Sequence, residues 1–214
     1  MTSDGKNKDD AAIRGYVLAG GASRRFGADK ALVEIEGRAL LSRLCELVSQ
    51  AVGSAQVVAP LGRYLDQNVK LIQDRWPDEG PLGGIITALR TTEESAASCE
   101  WNLILSCDMP FLTCEWLTYL TVYARDSGAD VIVPRSDYGL EPLCACWRTA
   151  ATDPLQGAFA EGVRKVTDAM KRLRMEVLDE THWKRFDSAG RLFWNMNTPQ
   201  DYEAALRMWR TGDT

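Results

Sequence analysis

Histidine is almost missing from this chain, with one residue, His182, among 214. No cysteine or carboxylate stands at ligand spacing around it, so neither a Ser-His-Asp or Cys-His catalytic group nor a histidine-built zinc centre is supported, and His182 reads as a solvated or structural ring. The six cysteines, Cys45, Cys99, Cys107, Cys114, Cys144 and Cys146, include no C-x-x-C pair and lack the density of a disulfide scaffold. They read as reduced, mostly buried thiols of a cytoplasmic protein, with Cys144 and Cys146 as small core residues on one face of a strand. No apolar run approaches the length of a membrane span. Net positive charge is lacking as well: the formal charge of −5 disfavours a general nucleic-acid binder, whose affinity rests largely on a basic field. A polyanionic ligand would have to be gripped locally.

Two familiar phosphate-binding patterns are also absent. A P-loop needs G-x-x-x-x-G-K-[ST], whereas Lys30 is separated from Gly27 by Ala28 and Asp29 and is followed by Ala31; the Rossmann G-x-G-x-x-G does not occur. What is present is LAGGASRRFGADK, 18–30, directly after the apolar run Gly15, Tyr16, Val17. Gly20 and Gly21 carry no Cβ, so the backbone can approach an anion with its N–H groups turned toward it. Arg24, Arg25 and Lys30 add cations within the same loop. Most Gly-Gly turns bind nothing, but a strand followed by glycines and then basic residues fits a triphosphate site.

The first twelve residues, MTSDGKNKDDAA, are polar and charged, with none of the apolar character of a secretory signal, and are expected to form a disordered tail. The remaining stretch, 13–214, is long enough for one well-buried core and short for two, so a single domain is expected. Short β-rich runs at 15–18, 56–59, 69–73, 101–107, 130–133 and 143–147 alternate with helical patterns, which predicts an α/β sheet with crossover helices. Leu40, Leu44, Leu47, Val48 and Ala51 share one helical face. Further helices are expected at 82–90, at 115–126 after Thr113 or Cys114, and at 199–210. The last has Thr198 as N-cap, Pro199 at the first helical position and Asp201 three residues after the cap, with Tyr202, Leu206 and Trp209 as its buried face. The region 149–191 is more charged and poorer in strand signal, and is expected to be an insertion or lid over one end of the sheet. The seven tryptophans are expected mostly in the core.

In open α/β sheets ligands bind beyond the carboxyl ends of the strands. The glycine loop follows one such end. Asp108 in SCDMP follows another, placed either to hold Mg²⁺ against phosphate oxygens or to serve as a turn or cap residue. Asp74 follows a third and leads into RWPDEGPLGG, whose prolines and glycines open a helix able to favour an anion or a base edge, or which forms a plain surface turn.

Taken together, LAGGASRRFGADKA, the QD at Asp74, GPLGGI at 80–85, CDMPFL at 107–112 and NMNTPQD at 195–201 resemble the molybdenum cofactor guanylyltransferase family of the MobA type, in that family's order and over nearly the whole chain beyond the tail. The resemblance implies a Rossmann-like nucleotidyltransferase with a mixed, mostly parallel sheet flanked by helices. It implies GTP and molybdenum-bound molybdopterin as substrates, the guanine dinucleotide cofactor and pyrophosphate as products, and Mg²⁺ as cofactor. Proteins that deliver or receive the cofactor would be further partners. By the same matching Asp108 would carry the metal, and Lys30, Arg25, Gly20 and Gly21 would stabilise charge on the phosphates. Leu18, Ala19 and Gly20 would border the guanine, and Asp74 would bind the nucleoside. Arg164 and Lys165 in GVRKV correspond to a basic pair facing the pterin, although a solvated helix face fits them equally. Asn195 and Asn197 would border that side or build the turn before the last helix. One departure stands out: the loop after the second strand reads APLGR, 59–63, where the family often shows asparagine.

The loop and metal site would serve any nucleoside triphosphate, so a molybdopterin cytidylyltransferase or a sugar-phosphate nucleotidyltransferase is the alternative. LAGG, GADK and GPLGG favour the guanine branch, since the cytosine branch tends to LAAG; sequence physics alone does not choose. A nucleotide-binding regulator without catalysis is a third reading, against which stands the presence of both Lys30 and Asp108.

Overall fold

Gly15 sits in the middle of strand β1 (Ile13–Leu18) because nothing larger fits there: a Cβ would lie 2.1 Å from Val48 Cγ1 and 2.8 Å from the Ser54 carbonyl oxygen. The computed structural model describes residues 13–20, 29–96, 99–187 and 189–210. After β1 come a 3-10 turn at Lys30–Leu32 and a small hairpin, β2 (Glu34–Ile35) and β3 (Arg38–Ala39). Then follow α1 (Leu40–Val52), β4 (Ala55–Ala59), β5 (Lys70–Gln73), α2 (Pro81–Glu93), β6 (Trp101–Ser106), α3 (Cys114–Asp126) and β7 (Val131–Ser136). The chain continues through β8 (Gly139–Leu140), β9 (Cys144–Arg148), α4 (Thr152–Ala160), α5 (Val166–Ala169), β10 (Met175–Leu178), α6 (Glu180–Trp183) and α7 (Pro199–Arg210).

The main sheet has the order β10-β7-β9-β6-β1-β4-β5, with β8 paired onto β7. The β1, β4, β5 and β6 pairings are parallel, as is β10 with β7, while β9 runs antiparallel to both of its neighbours. From β1 the chain steps to β4 and β5 on one side and then crosses by α2 to β6 on the other. That makes the carboxyl end of β1 the switch point where an open sheet leaves a crevice.

Alternation along the strands builds a core on each face. Val17, Val57, Leu103, Leu105 and Cys146 face α1, α3 and α7; Tyr16, Leu18, Val58, Ile104 and Trp147 face α2 and α4. Trp101, Trp116 and Trp147 are fully buried, and truncating any of them to alanine would cost about 3–5 kcal/mol. A buried polar chain crosses the second core: Tyr16 OH lies 2.7 Å from Thr92 Oγ1, which is bonded to Asn102 Oδ1, and Asn102 Nδ2 donates to the Trp147 carbonyl at 3.2 Å. Each polar atom there has a partner, so its burial carries no desolvation penalty of an orphaned group.

The expected strands and helices all form, within one to three residues at their ends. Thr113 rather than Cys114 caps α3, its hydroxyl accepting the Trp116 N–H at 3.2 Å. At α7 the cap is reciprocal: Thr198 Oγ1 accepts from Asp201 N at 3.2 Å, and Asp201 Oδ2 accepts from Thr198 N at 2.8 Å.

The expectation for 149–191 is corrected. The segment is part of the fold: α4 packs beside α2, and β10 adds a parallel strand to the edge of the sheet. Pro154 and Gly157 blur the helical pattern of α4, and β10 is only four residues long with Met175 exposed, so neither carried a clear periodic signal. Among the described residues no helix is long and apolar enough to cross a membrane.

Candidate active site

A cleft of about 540 Å³ opens beyond the carboxyl ends of β1, β4, β5 and β6. One wall is the segment between β5 and α2, with Asp74, Asp78, Gly80, Pro81 and Gly84; the other carries Asp29, Lys30, Cys107 and Asp108, and Leu18 and Val58 lie among its lining residues. The mixture of apolar surface and a few placed polar groups suits an organic ligand with a charged end.

Asp74 is fixed before any ligand arrives. Its backbone N–H donates to the Ala59 carbonyl at 2.8 Å, and its Oδ1 accepts from Trp76 N at 3.0 Å with the buried Thr87 hydroxyl also at 3.0 Å. Gly20 faces it across the cleft; a Cβ there would lie 3.3 Å from Pro60 Cδ and 3.9 Å from Asp74 Oδ2. Gly84 admits Leu18, whose methyl group would be 3.3 Å from an added Cβ, and Gly83 admits Trp76 at 3.0 Å. The GPLGG spacing is therefore what lets α2 approach β1 and the loop before it.

Lys30 Nζ donates to Asn197 Oδ1 at 2.8 Å, and Met196 N donates to the Asp108 carbonyl at 2.8 Å, so the loop before α7 ties the lysine turn to the end of β6. Helix α7 holds that loop down: Trp209 stacks on Phe111 at 5.5 Å between centroids, and Tyr202 OH donates to the Glu34 carbonyl at 2.8 Å. Burial raises the Asp108 carboxyl above the ordinary range, offset in part by the Ser106 hydrogen bond and the Lys30 charge. Its Oδ1 is buried and has no protein partner. Burial also pushes the neighbouring Cys107 thiol up to about 12, so it stays protonated and is no nucleophile at neutral pH.

Asp29, the first residue of the DK pair, caps the 3-10 turn by accepting Ala31 N at 3.1 Å and also accepts from Tyr64 OH at 3.1 Å while pairing with Arg63. The loop after β4, which lacks asparagine, thus clasps the lysine turn instead, and Tyr64 lines the cleft. Tyr64, Asp78 and Ser106 were not singled out from sequence; an aspartate two positions before the amide it caps was the available signal for the turn at 29–31. Buried Glu141 was likewise missed. It accepts from Ser136 Oγ, and burial raises its carboxyl, with the Asp108 charge adding to the rise.

The other expected residues fall as follows. Leu18 and Gly20 line the cleft, Ala19 is buried behind them with its N–H on the Val58 carbonyl at 2.9 Å, and Gly21, Arg24 and Arg25 lie outside the described residues. Asn195 Nδ2 donates to the Phe193 carbonyl at 3.2 Å, whereas Asn197 meets Lys30. Arg164 and Lys165 do not line the cleft; Arg164 instead pairs with Glu79, and Lys165 stands just before α5. His182 lies on α6 with Nδ1 3.1 Å from Asp179, and it does not line the cleft.

The chain is similar to several known proteins. The MobA-like NTP transferase domain family matches residues 15–176. A molybdenum cofactor guanylyltransferase of Desulfosudis oleivorans is 31% identical, covering 94% of this chain and 98% of its own. A probable molybdenum cofactor guanylyltransferase of Chloroflexus aggregans is also 31% identical, covering 88% of this chain and 91% of its own. Among solved structures, molybdopterin-guanine dinucleotide biosynthesis protein A of Archaeoglobus fulgidus superposes with a TM-score of 0.79 at 28% identity, over 92% of this chain and 99% of that one.

Proposed function

Because the chain belongs to the MobA-like NTP transferase family and is a nucleotidyltransferase, we propose that it transfers GMP from GTP to the terminal phosphate of molybdenum-bound molybdopterin. The observation that carries this reading is the convergence on one cleft of Lys30 from its 3-10 turn, Asp74 from the end of β5 and Asp108 from just beyond β6. The names of the relatives support guanine as the base and molybdopterin as the acceptor.

In this reaction an oxygen of the acceptor's terminal phosphate attacks the α-phosphorus, the bond to the β-phosphate's bridging oxygen breaks, and pyrophosphate leaves. The protein's task is positioning and charge neutralisation. The wall bearing Asp74, Gly80 and Gly84 receives the nucleoside, with Asp74 Oδ1 fixed and Oδ2 left toward the ligand. Lys30, steadied by Asn197, sets a cation against the phosphates, where charge builds on the α-phosphoryl group and on the leaving pyrophosphate. Gly20 lets the chain come within contact of those phosphates, and Gly21 and Arg25 would extend the same cradle. Asn197 acts through its bond to Lys30, and Asn195 bonds within the loop before α7.

Asp108 fits Mg²⁺: its buried Oδ1 is an acceptor that no protein donor satisfies, beside a cleft suited to phosphate oxygens. Among the described residues there is no cluster of three or more histidine, cysteine or acidic side chains able to hold a metal, so the remaining ligands would be phosphate oxygens and water. When bound, the ion supplies neutralisation of the phosphate charge.

The test is pyrophosphate release from GTP with molybdopterin and Mg²⁺, together with chromatographic detection of the guanine dinucleotide. Release that depends on both substrates supports the assignment. GTP binding without product would make the protein a binder rather than a transferase.

A further inference from the structure

The wall of the cleft that receives the nucleoside is formed largely by the loop between β5 and α2. Asp78 and Gly80, both lining the cleft, have φ of 66° and 89°, and they flank Glu79. Glycine adopts this region freely and aspartate tolerates it better than most residues, so the backbone alone does not fix the loop. A tie comes from a distant part of the chain. Arg164, just after α4, donates from Nε to Glu79 Oε2 at 2.7 Å, and from Nη1 to the Phe159 carbonyl at 2.8 Å and the Val163 carbonyl at 3.1 Å. Its guanidinium lies 3.9 Å over the Phe159 ring, and the same ring meets Trp76 at 5.4 Å between centroids. Trp76 in turn packs against the bare Cα of Gly83, accepts the Glu79 N–H on its carbonyl at 3.3 Å, and gives its own N–H to Asp74.

We infer that Arg164 is a positioning residue for nucleotide binding: through Glu79 and the Phe159–Trp76 pair it fixes the 74–80 loop in the shape that receives the nucleoside of GTP. The inference deepens the function proposed above and rests on it for the identity of the nucleotide. It departs from the pterin-side role implied by family resemblance, because the arginine's hydrogen bonds and ring contact are directed at the nucleoside wall, and Arg164 is not among the residues lining the cleft. Its planar fork suits this task better than an ammonium would, since it meets a carboxylate, a carbonyl and an aromatic face at once.

The experiment measures the dissociation constant of a fluorescent N-methylanthraniloyl GTP and, separately, the KM values for GTP and molybdopterin in the pyrophosphate-release assay. The variants are Arg164→Ala, Arg164→Lys and Glu79→Gln. Loss of the tether should weaken GTP by roughly tenfold in Kd and KM, as expected when a loop must be ordered on binding. The value of kcat should stay within about twofold and the KM for molybdopterin should not move. Arg164→Lys, which keeps the charge opposite Glu79, should recover part of the loss. Glu79→Gln leaves the Phe159 contacts in place and should shift GTP binding in the same direction, so the test survives if Arg164→Ala folds poorly. A raised KM for molybdopterin with GTP unaffected would overturn the inference, as would wild-type GTP binding in Glu79→Gln. If the wild-type protein binds the GTP probe yet releases no pyrophosphate with molybdopterin, the proposed reaction fails, and the Kd ratios still decide on the tether.

Discussion

Lys30 and Asn197, 167 positions apart, meet through a 2.8 Å hydrogen bond from Nζ to Oδ1. The bond makes Lys30, proposed to face the phosphates, depend on the capping box of α7, because Asp201 holds the backbone N–H groups of both Asn197 and Thr198 at 2.8 Å. Replacing Lys30 by alanine should lower kcat by roughly two powers of ten or more, since the lost charge acts mainly on the transition state. Asn197→Ala, which leaves the ammonium present but unsteadied, should cost about tenfold, and the double variant should be no worse than Lys30→Ala alone. Single-turnover rates with both substrates saturating check this; additive losses would mean that Asn197 acts independently of the lysine.

Asp108→Asn should remove most turnover and yet raise the melting temperature near neutral pH. Burial raises the folded-state pKa of this carboxyl. A group raised in this way contributes stability that is fully present below its unfolded pKa of about 4 and is lost as pH rises through the folded value. At neutral pH the wild-type protein therefore carries the cost of a buried carboxylate with an orphaned oxygen, and asparagine removes that charge. The gap in melting temperature between variant and wild type should close as pH falls toward the ordinary carboxylate range. A variant less stable than wild type at neutral pH would show that the charged carboxylate is held favourably by the protein itself.

Much of this architecture was legible because local and global signals coincide. The β1, β4 and β6 strands are mostly apolar runs that read as buried parallel strands, and Thr198-Pro199 with Asp201 marks the start of α7 without ambiguity. The positions of Gly20, Asp74 and Asp108 at strand ends follow from the same reading. What could not be read were meetings between segments distant in sequence. Nothing in GVRKV says that Arg164 turns to Glu79, nothing in APLGRY says that Arg63 and Tyr64 close on Asp29, and the four residues of β10 are too few to show a period. Such contacts depend on tertiary placement, to which hydrophobic periodicity is blind.

Gly15→Ala should destabilise the fold by about 2 kcal/mol or more, at the upper end of overpacking effects, because the three nearest contacts are a backbone oxygen and two β-branched methyls that cannot withdraw. The clash involves Val48 Cγ1 at 2.1 Å, the Ser54 carbonyl at 2.8 Å and Val52 Cγ2 at 2.8 Å, on the face of β1 away from α2. Urea unfolding should show a lower midpoint. Variants that also trim Val48 to alanine should regain part of the loss, and a midpoint equal to wild type would mean that α1 shifts without penalty.

Thermal stabilisation by GTP, CTP, ATP and UTP with Mg²⁺ should rank GTP first. A ligand that binds only the folded state raises apparent stability in proportion to the logarithm of its concentration over Kd, so the order of shifts reports the order of affinities. The nucleoside wall presents the Asp74 carboxylate with one oxygen already fixed by Trp76 N and the Thr87 hydroxyl, a rigid acceptor that cannot re-aim itself for a different ligand. A base that leaves such a fixed polar group unpaired loses more than any difference in packing can restore. Asp74→Ala should therefore shrink the GTP shift by the equivalent of roughly tenfold in affinity, since a charged hydrogen bond is lost. A larger shift with CTP, accompanied by pyrophosphate release from CTP and molybdopterin, would make the enzyme a cytidylyltransferase while leaving the parts played by Lys30 and Asp108 as they stand.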